Sequence, residues 1–335
     1  MIAQKGSSEL VEFLHRKADA AGIPISGVFE LTPMCSMNCR MCYVRMSAED
    51  VQKSGKRLRT VEEWIALAEE LKAQGMLLLL LTGGEPFTYP GFRELYTRLR
   101  GMGFVLSINS NATLIDDETV AWLKENPPQR INITLYGASD ETYMRLCQHP
   151  TGHTVVTHAI EALQDAGINV KLNCSVTPDN VCDLEEIIRY SDERKLILQA
   201  TSYMFPPLRK DAASVGHNNR FSAEECARVE ARIRCLQRGR EDLLRYCESV
   251  EQHCPLEDDA TFDCEGDGVR CRAGKSTFWL TWDGRMLMCA MMDQPSFDLS
   301  EMPAAEAWEK LRAATREIHL PPECAACDAK DACRS

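Results

Sequence analysis

Residues 27–42 read GVFELTPMCSMNCRMC, and residues 76–86 read MLLLLLTGGEP. Each opens as an apolar run of strand length and ends in residues that cannot continue a strand. The first run empties into Cys35, Cys39 and Cys42. The second empties into Gly83, Gly84, Glu85 and Pro86. Comparable runs recur at 104–109, 131–135, 170–176 and 196–203. Between them lie helical patterns at 61–74, 91–100, 116–125, 155–166 and 184–193, several punctuated by Gly or Pro. Six alternations of strand and helix place the chain in the α/β class with parallel strands and right-handed crossovers. A partial barrel and a doubly wound sheet both fit this rhythm.

After Phe205-Pro206-Pro207 the rhythm breaks. The pattern predicts a long charged helix over 222–246 and then a linker rich in Cys, Asp and Gly as far as Gly268. A hairpin over 276–289 follows, turning on Asp283-Gly284 as a two-residue turn. A last helix over 304–318 leads to Pro321-Pro322 and a Cys-rich end. The domain boundary falls near residue 250. The N-terminal stretch reads as a polar amphipathic helix without a signal-peptide core, and no apolar run reaches membrane-spanning length. These features predict a cytoplasmic protein with no membrane partner.

The 335 residues carry a net charge of −12. Residues 248–335 hold 18 acidic and 9 basic side chains, which accounts for −9 of it. Nucleic-acid binding needs phosphates neutralised by Lys and Arg, so no nucleic-acid partner is expected. Sixteen cysteines in a chain without an export signal argue for metal ligation or inert buried thiols over disulfides.

Spacing decides between these. Cys35-x3-Cys39-x2-Cys42 follows the first strand, where chemistry sits in parallel barrels. Thiolates are the usual ligands of iron–sulfur clusters. Three ligands on a four-iron cube leave one iron open, as reactive metal sites require. A zinc knuckle lacking its fourth ligand is the competing reading. At the end of the second strand, Gly83 and Gly84 allow close backbone approach, and Glu85 can accept from an ammonium; a plain strand-to-helix turn would read the same.

The two motifs in this order resemble the radical S-adenosylmethionine (AdoMet) superfamily over about residues 27–205. The resemblance implies a partial (βα)6 TIM-type barrel, with a 4Fe-4S cluster on Cys35, Cys39 and Cys42 and AdoMet chelating the open iron. Gly83, Gly84 and Glu85 would then hold the AdoMet amino group, with Pro86 in the same cofactor-binding segment. Ser110 and Asn111 in SINSNATLI resemble the family's ribose-side segment, and Thr134 in ITLYG its Ser-x-x-Gly. Arg145 and Asn173 are candidate contacts for the AdoMet carboxylate and ribose. Met41 stands where an aromatic residue or His is frequent before the third cysteine, and its thioether would pack against adenine.

Cys271 and Cys289 bracket the hairpin, and Cys324-x2-Cys327-x5-Cys333 closes the chain. On spacing alone this pattern suits zinc or an iron–sulfur cluster. CRAGKSTFWLTWDGRMLMC, residues 271–289, resembles the C-terminal SPASM or shorter Twitch extension of radical AdoMet enzymes. The resemblance implies a domain over 251–335 beside a barrel domain over 1–250, and one or two auxiliary iron–sulfur clusters. Cys271, Cys289, Cys324 and Cys327 suffice for one. Cys264 and Cys333 would belong to a fuller SPASM set, which the ending at Ser335 cuts short.

The implied reaction is reductive cleavage of AdoMet to a 5′-deoxyadenosyl radical, followed by hydrogen abstraction from a peptide or protein, as in peptide natural-product maturation. Ala290 stands where sulfatase-maturing members carry Asp, which disfavours formylglycine formation. Small-molecule dehydrogenation or cyclisation is the first alternative, and a non-catalytic zinc-stabilised binding protein the second. An external electron donor such as flavodoxin or ferredoxin is implied. The short N-terminus points to a separate leader-peptide-binding protein. No catalytic acid or base is assigned.

Overall fold

The computed structural model describes residues 6–204, 219–251, 268 and 271–327. The elements run α1 (Gly6–Ala21), β1 (Ser26–Glu30), α2 (Ala48–Lys53), α3 (Val61–Ala73), β2 (Leu78–Thr82), α4 (Phe92–Gly101), β3 (Val105–Ser110), α5 (Asp117–Glu125), β4 (Arg130–Thr134), α6 (Asp140–Cys147), α7 (Gly152–Asp165), β5 (Val170–Ser175), α8 (Leu184–Glu193) and β6 (Ile197–Thr201). Then come α9 (Ala223–Arg238), α10 (Arg240–Glu251), β7 (Thr277–Leu280), β8 (Arg285–Leu287), β9 (Ser296–Asp298), α11 (Ala304–Arg316) and α12 (Pro322–Ala325).

One sheet carries all the described strands, in the order β6-β5-β4-β3-β2-β1-β7-β8-β9. Strands β1 to β6 are parallel and spatially consecutive. Such a succession builds a (βα) barrel. Because the sheet keeps two edges, β6 and β9, the barrel is partial.

Alternation along the strands separates two faces. Phe29, Leu79, Leu81, Leu106, Ile108, Ile131, Ile133, Val170 and Leu172 are buried in the hydrophobic core with the apolar faces of the helices. Helix α3 shows how a helix is fixed there. Thr60 and Glu63 form a capping box, and Trp64, Ile65, Ala68 and Leu71 bury one face. Trp64 stacks on Phe29 at 4.8 Å between ring centroids. The opposite strand face is polar: Asn109, Arg130, Asn132, Thr134, Lys171, Asn173 and Gln199 occupy the alternate positions.

The hairpin strand β7 pairs in parallel with β1, so the C-terminal segment extends the barrel's own sheet. Helix α11 seals that edge. Trp308 packs against Phe278 and donates to the Gly22 carbonyl at 2.8 Å, and Arg312 donates to the Asp19 carbonyl at 3.1 Å. From the other side, buried His15 on α1 hydrogen-bonds the Ser276 hydroxyl at 2.9 Å.

Two expectations are corrected. The stretch 222–246 is not one helix: Gly239, at φ 91°, ends α9 and α10 begins at once. A residue in that conformation cannot continue a right-handed helix, and glycine adopts it without steric cost. The hairpin closes through a three-residue turn, not two. The Gly284 N–H donates to the Thr281 carbonyl at 3.0 Å, and Gly284 sits at φ 98°. That is the type I turn with a glycine bulge, which also favours Asp-Gly. The boundary expected near residue 250 abuts 252–267, outside the described residues. No helix among the described residues is long and apolar enough to cross a membrane.

Candidate functional site

The segment after β1 is a loop, and its shape is set by backbone contacts to three neighbours. The Met46 N–H donates to the Pro33 carbonyl at 2.9 Å, closing the loop on itself. Asn38 and Arg40 donate to the carbonyls of Cys147 and Leu146 at the end of α6, at 2.9 and 3.1 Å. The third neighbour is the segment after β2. Gly84 N–H donates to the Thr32 carbonyl at 2.7 Å and Glu85 N–H to the Met34 carbonyl at 2.8 Å. A β-carbon on Gly83 would lie 2.5 Å from the Thr32 carbonyl oxygen, and one on Gly84 2.4 Å from that of Met34. Both glycines are thus required because one backbone lies directly on another.

Glu85 is fully buried and caps the turn that Pro86 begins. Its Oε1 accepts from the Ser110 hydroxyl at 2.9 Å and the Phe87 N–H at 3.2 Å, and its Oε2 from the Asn111 N–H at 2.7 Å. Burial pushes its carboxyl up to about 7, opposed by those hydrogen bonds. Asn111 then reaches the cysteine loop: its amide donates to Cys35 Sγ at 3.3 Å and to Ser36 Oγ at 3.2 Å. The ends of β1, β2 and β3 therefore meet in one hydrogen-bonded unit.

Two of the three thiols accept backbone N–H donors. Cys35 Sγ also accepts from the Met37 N–H at 3.4 Å, and Cys42 Sγ from the Arg45 N–H at 3.2 Å. The neighbouring Cys147 thiol, followed by burial, pushes the Cys39 thiol up, and Tyr136 opposes the rise. Burial pushes the Cys35 thiol up to about 12, with charge repulsion from Glu85, Cys39 and Cys42 adding to it. Bound cationic metal would relieve that repulsion and hold Cys35 as a thiolate. Among the described residues no three His, Cys, Asp or Glu side chains gather closely enough for a single metal ion. Three thiols on one loop, two of them accepting backbone N–H donors, fit a cluster of several irons, each bound through one thiolate.

The remaining sequence candidates fall in different places. Met41 is buried in the core. Thr134 and Asn173 are register partners at the ends of β4 and β5, on the polar face. Arg145, on α6, donates twice to the Asp179 carbonyl, at 3.0 and 2.7 Å, and to Thr142 at 3.1 Å. Of the C-terminal cysteines, Cys271, Cys324 and Cys327 are exposed and Cys289 is half-buried. An isolated bridge between Gly268 and His319 ties the approach to Cys271 to the chain entering α12. Cys264 and Cys333 lie outside the described residues.

Sequence reasoning missed Cys147, treated as incidental, and Tyr136. The helix that delivers Cys147 was legible: Ser139 caps α6 by accepting from the Thr142 N–H, ahead of buried Tyr143 and Leu146.

A parallel partial barrel with a three-cysteine loop after β1 and a Gly-Gly-Glu turn after β2 defines a radical AdoMet enzyme. Residues 29–191 match the Radical SAM superfamily, so the chain carries a radical SAM domain. The non-catalytic zinc-protein reading thereby falls away. The chain is 22% identical to an AdoMet-dependent heme synthase of Methanosarcina barkeri, over 91% of this chain and 88% of that one. It is 23% identical to the PqqA peptide cyclase of Bradyrhizobium diazoefficiens, covering 69% of this chain and only 60% of the cyclase. Among solved structures, SuiB of Streptococcus suis bound to the precursor peptide SuiA shares the fold with a TM-score of 0.70 at 16% identity, over 99% of this chain and 76% of SuiB.

Proposed function

We propose that this chain is a peptide-modifying radical AdoMet enzyme whose cluster is held by Cys35, Cys39 and Cys42. When bound, the cluster and AdoMet supply the electron and the radical initiator, the chemistry a protein side chain lacks. The chain's own part is placement. Asn111 orients Cys35, and Gly83 and Gly84 let the turn after β2 lie on the cysteine loop. Ser110 and Glu85 fix Asn111 from behind. Thr134 and Asn173 on the polar face, and Met41 of the loop, would meet AdoMet. Arg145, held by the Asp179 carbonyl, would contact the AdoMet carboxylate. Cys271, Cys289, Cys324 and Cys327 would hold one auxiliary cluster, with Cys264 and Cys333 available to a second. Flavodoxin or ferredoxin would donate the electron, and a separate leader-binding protein would present the peptide.

The observation that carries the reading is the junction of the three strand ends through Asn111 and Cys35. Support for a peptide substrate comes from the likeness to peptide-bound SuiB across nearly the whole chain. A small-molecule substrate is the second reading, favoured by the near-complete mutual coverage with the heme synthase.

The test is anaerobic reconstitution, iron and sulfide counting, and assay for 5′-deoxyadenosine with AdoMet and reductant. Deoxyadenosine that vanishes in Cys35→Ala, Cys39→Ala and Cys42→Ala carries the reading. A loaded protein that makes none overturns it. Loss of about four irons per chain in Cys271→Ala/Cys289→Ala, with the first cluster intact, would establish the auxiliary site. Mass shifts in co-expressed peptide, or their absence, divide the two substrate readings.

A further inference from the structure

The polar face of the barrel contains two positive charges that the proposed chemistry does not use. Arg130 is the first residue of β4, and Lys171 the second of β5. Asn132 is the register partner of Lys171, and Arg130 stands two residues before it on the same face, so the two cations are diagonal neighbours. Both are half-buried. Lys171 donates to Gln199 Oε1 on β6. Among the described residues neither cation has a carboxylate partner: burial alone acts on Arg130, and burial followed by repulsion from Arg130 acts on Lys171, lowering both below their ordinary values. Glu30, also on this face, is held by the Trp279 indole N–H at 2.8 Å.

Two further atoms here lack partners. Arg130 Nε, a donor, and Asn132 Oδ1, an acceptor, are both sealed from solvent without a hydrogen bond. Asn132 is only 8% exposed, and its amide nitrogen is committed to Asn109 Oδ1 at 2.7 Å. Desolvating two like charges with no counter-charge is costly, and an arginine cannot escape by losing its proton. An unmet donor, an unmet acceptor and two cations on one wall describe the complement of an anion that carries a donor close by.

We propose that Arg130 and Lys171 bind a carboxylate of the substrate, with Asn132 Oδ1 accepting from an adjacent N–H of the same substrate. This rests on the peptide reading and narrows it: the substrate anchors through an acidic side chain or its C-terminal carboxylate. The anchor lies at the N-terminal ends of β4 and β5, away from the cysteine loop at the opposite strand ends. Five residues of strand separate the two levels, roughly 16 Å. The substrate must therefore extend along the polar face to present a group to the mouth.

The experiment needs no radical chemistry, so it stands or falls separately from the proposed activity. The reconstituted protein is titrated calorimetrically with three probes: N-acetylglutamate, N-acetylglutamine and N-acetylglutamate α-amide. The expected result is binding that weakens about tenfold or more in Arg130→Gln/Lys171→Gln, while the melting temperature without ligand rises as the repulsion is relieved. A preference for N-acetylglutamine over the α-amide identifies the C-terminal carboxylate, and the reverse an acidic side chain. Equal binding by the double variant overturns the proposal. So does failure of every probe to bind the unaltered protein, or a lower melting temperature of the unliganded variant, which would make the cations structural. Asn132→Leu, which keeps the volume but removes both the acceptor and the donor to Asn109, is expected to weaken the same probes without altering iron content.

Discussion

The side-chain amide of Asn111 donates to Cys35 Sγ at 3.3 Å, while its backbone N–H donates to Glu85 Oε2 at 2.7 Å. One residue at the end of β3 thus ties the loop after β1 to the turn after β2. Hydrogen bonds to the sulfurs are among the determinants of an iron–sulfur cluster's potential. Asn111→Ala removes one donor from Cys35. The expected result is a midpoint potential lower by about 50 mV, equivalent to about 1 kcal/mol for one electron, read by redox titration with electron paramagnetic resonance. An unchanged potential would confine Asn111 to loop packing.

Gly84 tests the backbone contact. Its added β-carbon would meet the carbonyl oxygens of Met34 and Pro33 at 2.4 and 2.7 Å, and neither can move without shifting the cysteine loop. Gly84→Ala is expected to cost about 1–3 kcal/mol and to lower iron per chain. Gly101, with nothing within 4 Å of a β-carbon and no positive φ, is the control for steric effect. Thermal melting and iron analysis read the difference.

Glu85 accepts on both oxygens, so an isosteric amide cannot replace it. Whichever way Glu85→Gln orients, its NH2 group faces a donor: the Ser110 hydroxyl and Phe87 N–H on one side, or the Asn111 N–H on the other. A buried unsatisfied donor costs about 1–3 kcal/mol. A chemical-denaturation midpoint matching the wild type would contradict this account.

His15 makes stability depend on pH. Burial, followed by repulsion from Arg272, lowers it from the ordinary 6.5 to about 4. The unfolded chain takes up a proton near 6.5 that the folded chain refuses until about 4. Between those values the unfolded state binds more protons, so stability falls as pH drops through that window and is fully present above it. The expected contribution is on the order of 2–3 kcal/mol. In His15→Gln, which cannot titrate, the melting temperature should vary less between pH 6.5 and 4. Parallel slopes for both proteins would refute the assignment.

Much of the fold was legible because it is carried by local pattern. Apolar runs alternating with helical segments gave six parallel strands, and the observed helix Leu184–Glu193 matches its expected span residue for residue. The cysteine loop and the Gly-Gly-Glu turn were legible because their spacing is itself the chemical requirement. Helix α6 was not among the expected helices, although the Ser139 cap marks its start in the sequence. The break at Gly239 escaped because charged residues continue a helical pattern on both sides, and only a positive φ interrupts it.

The sequence by itself determined the class of the protein: where strands end, which three cysteines share a loop, and which glycines follow β2. These are relations among near neighbours, fixed by chain geometry and residue chemistry. Only the tertiary structure decided that Asn111 faces Cys35, that Cys147 at the end of α6 comes beside Cys39 of the loop, that β7 joins the barrel beside β1, and that Arg130, Asn132 and Lys171 share one wall. Each of these contacts joins residues far apart in the chain. Their meeting depends on strand register and helix packing, which side chains set collectively and no single segment encodes.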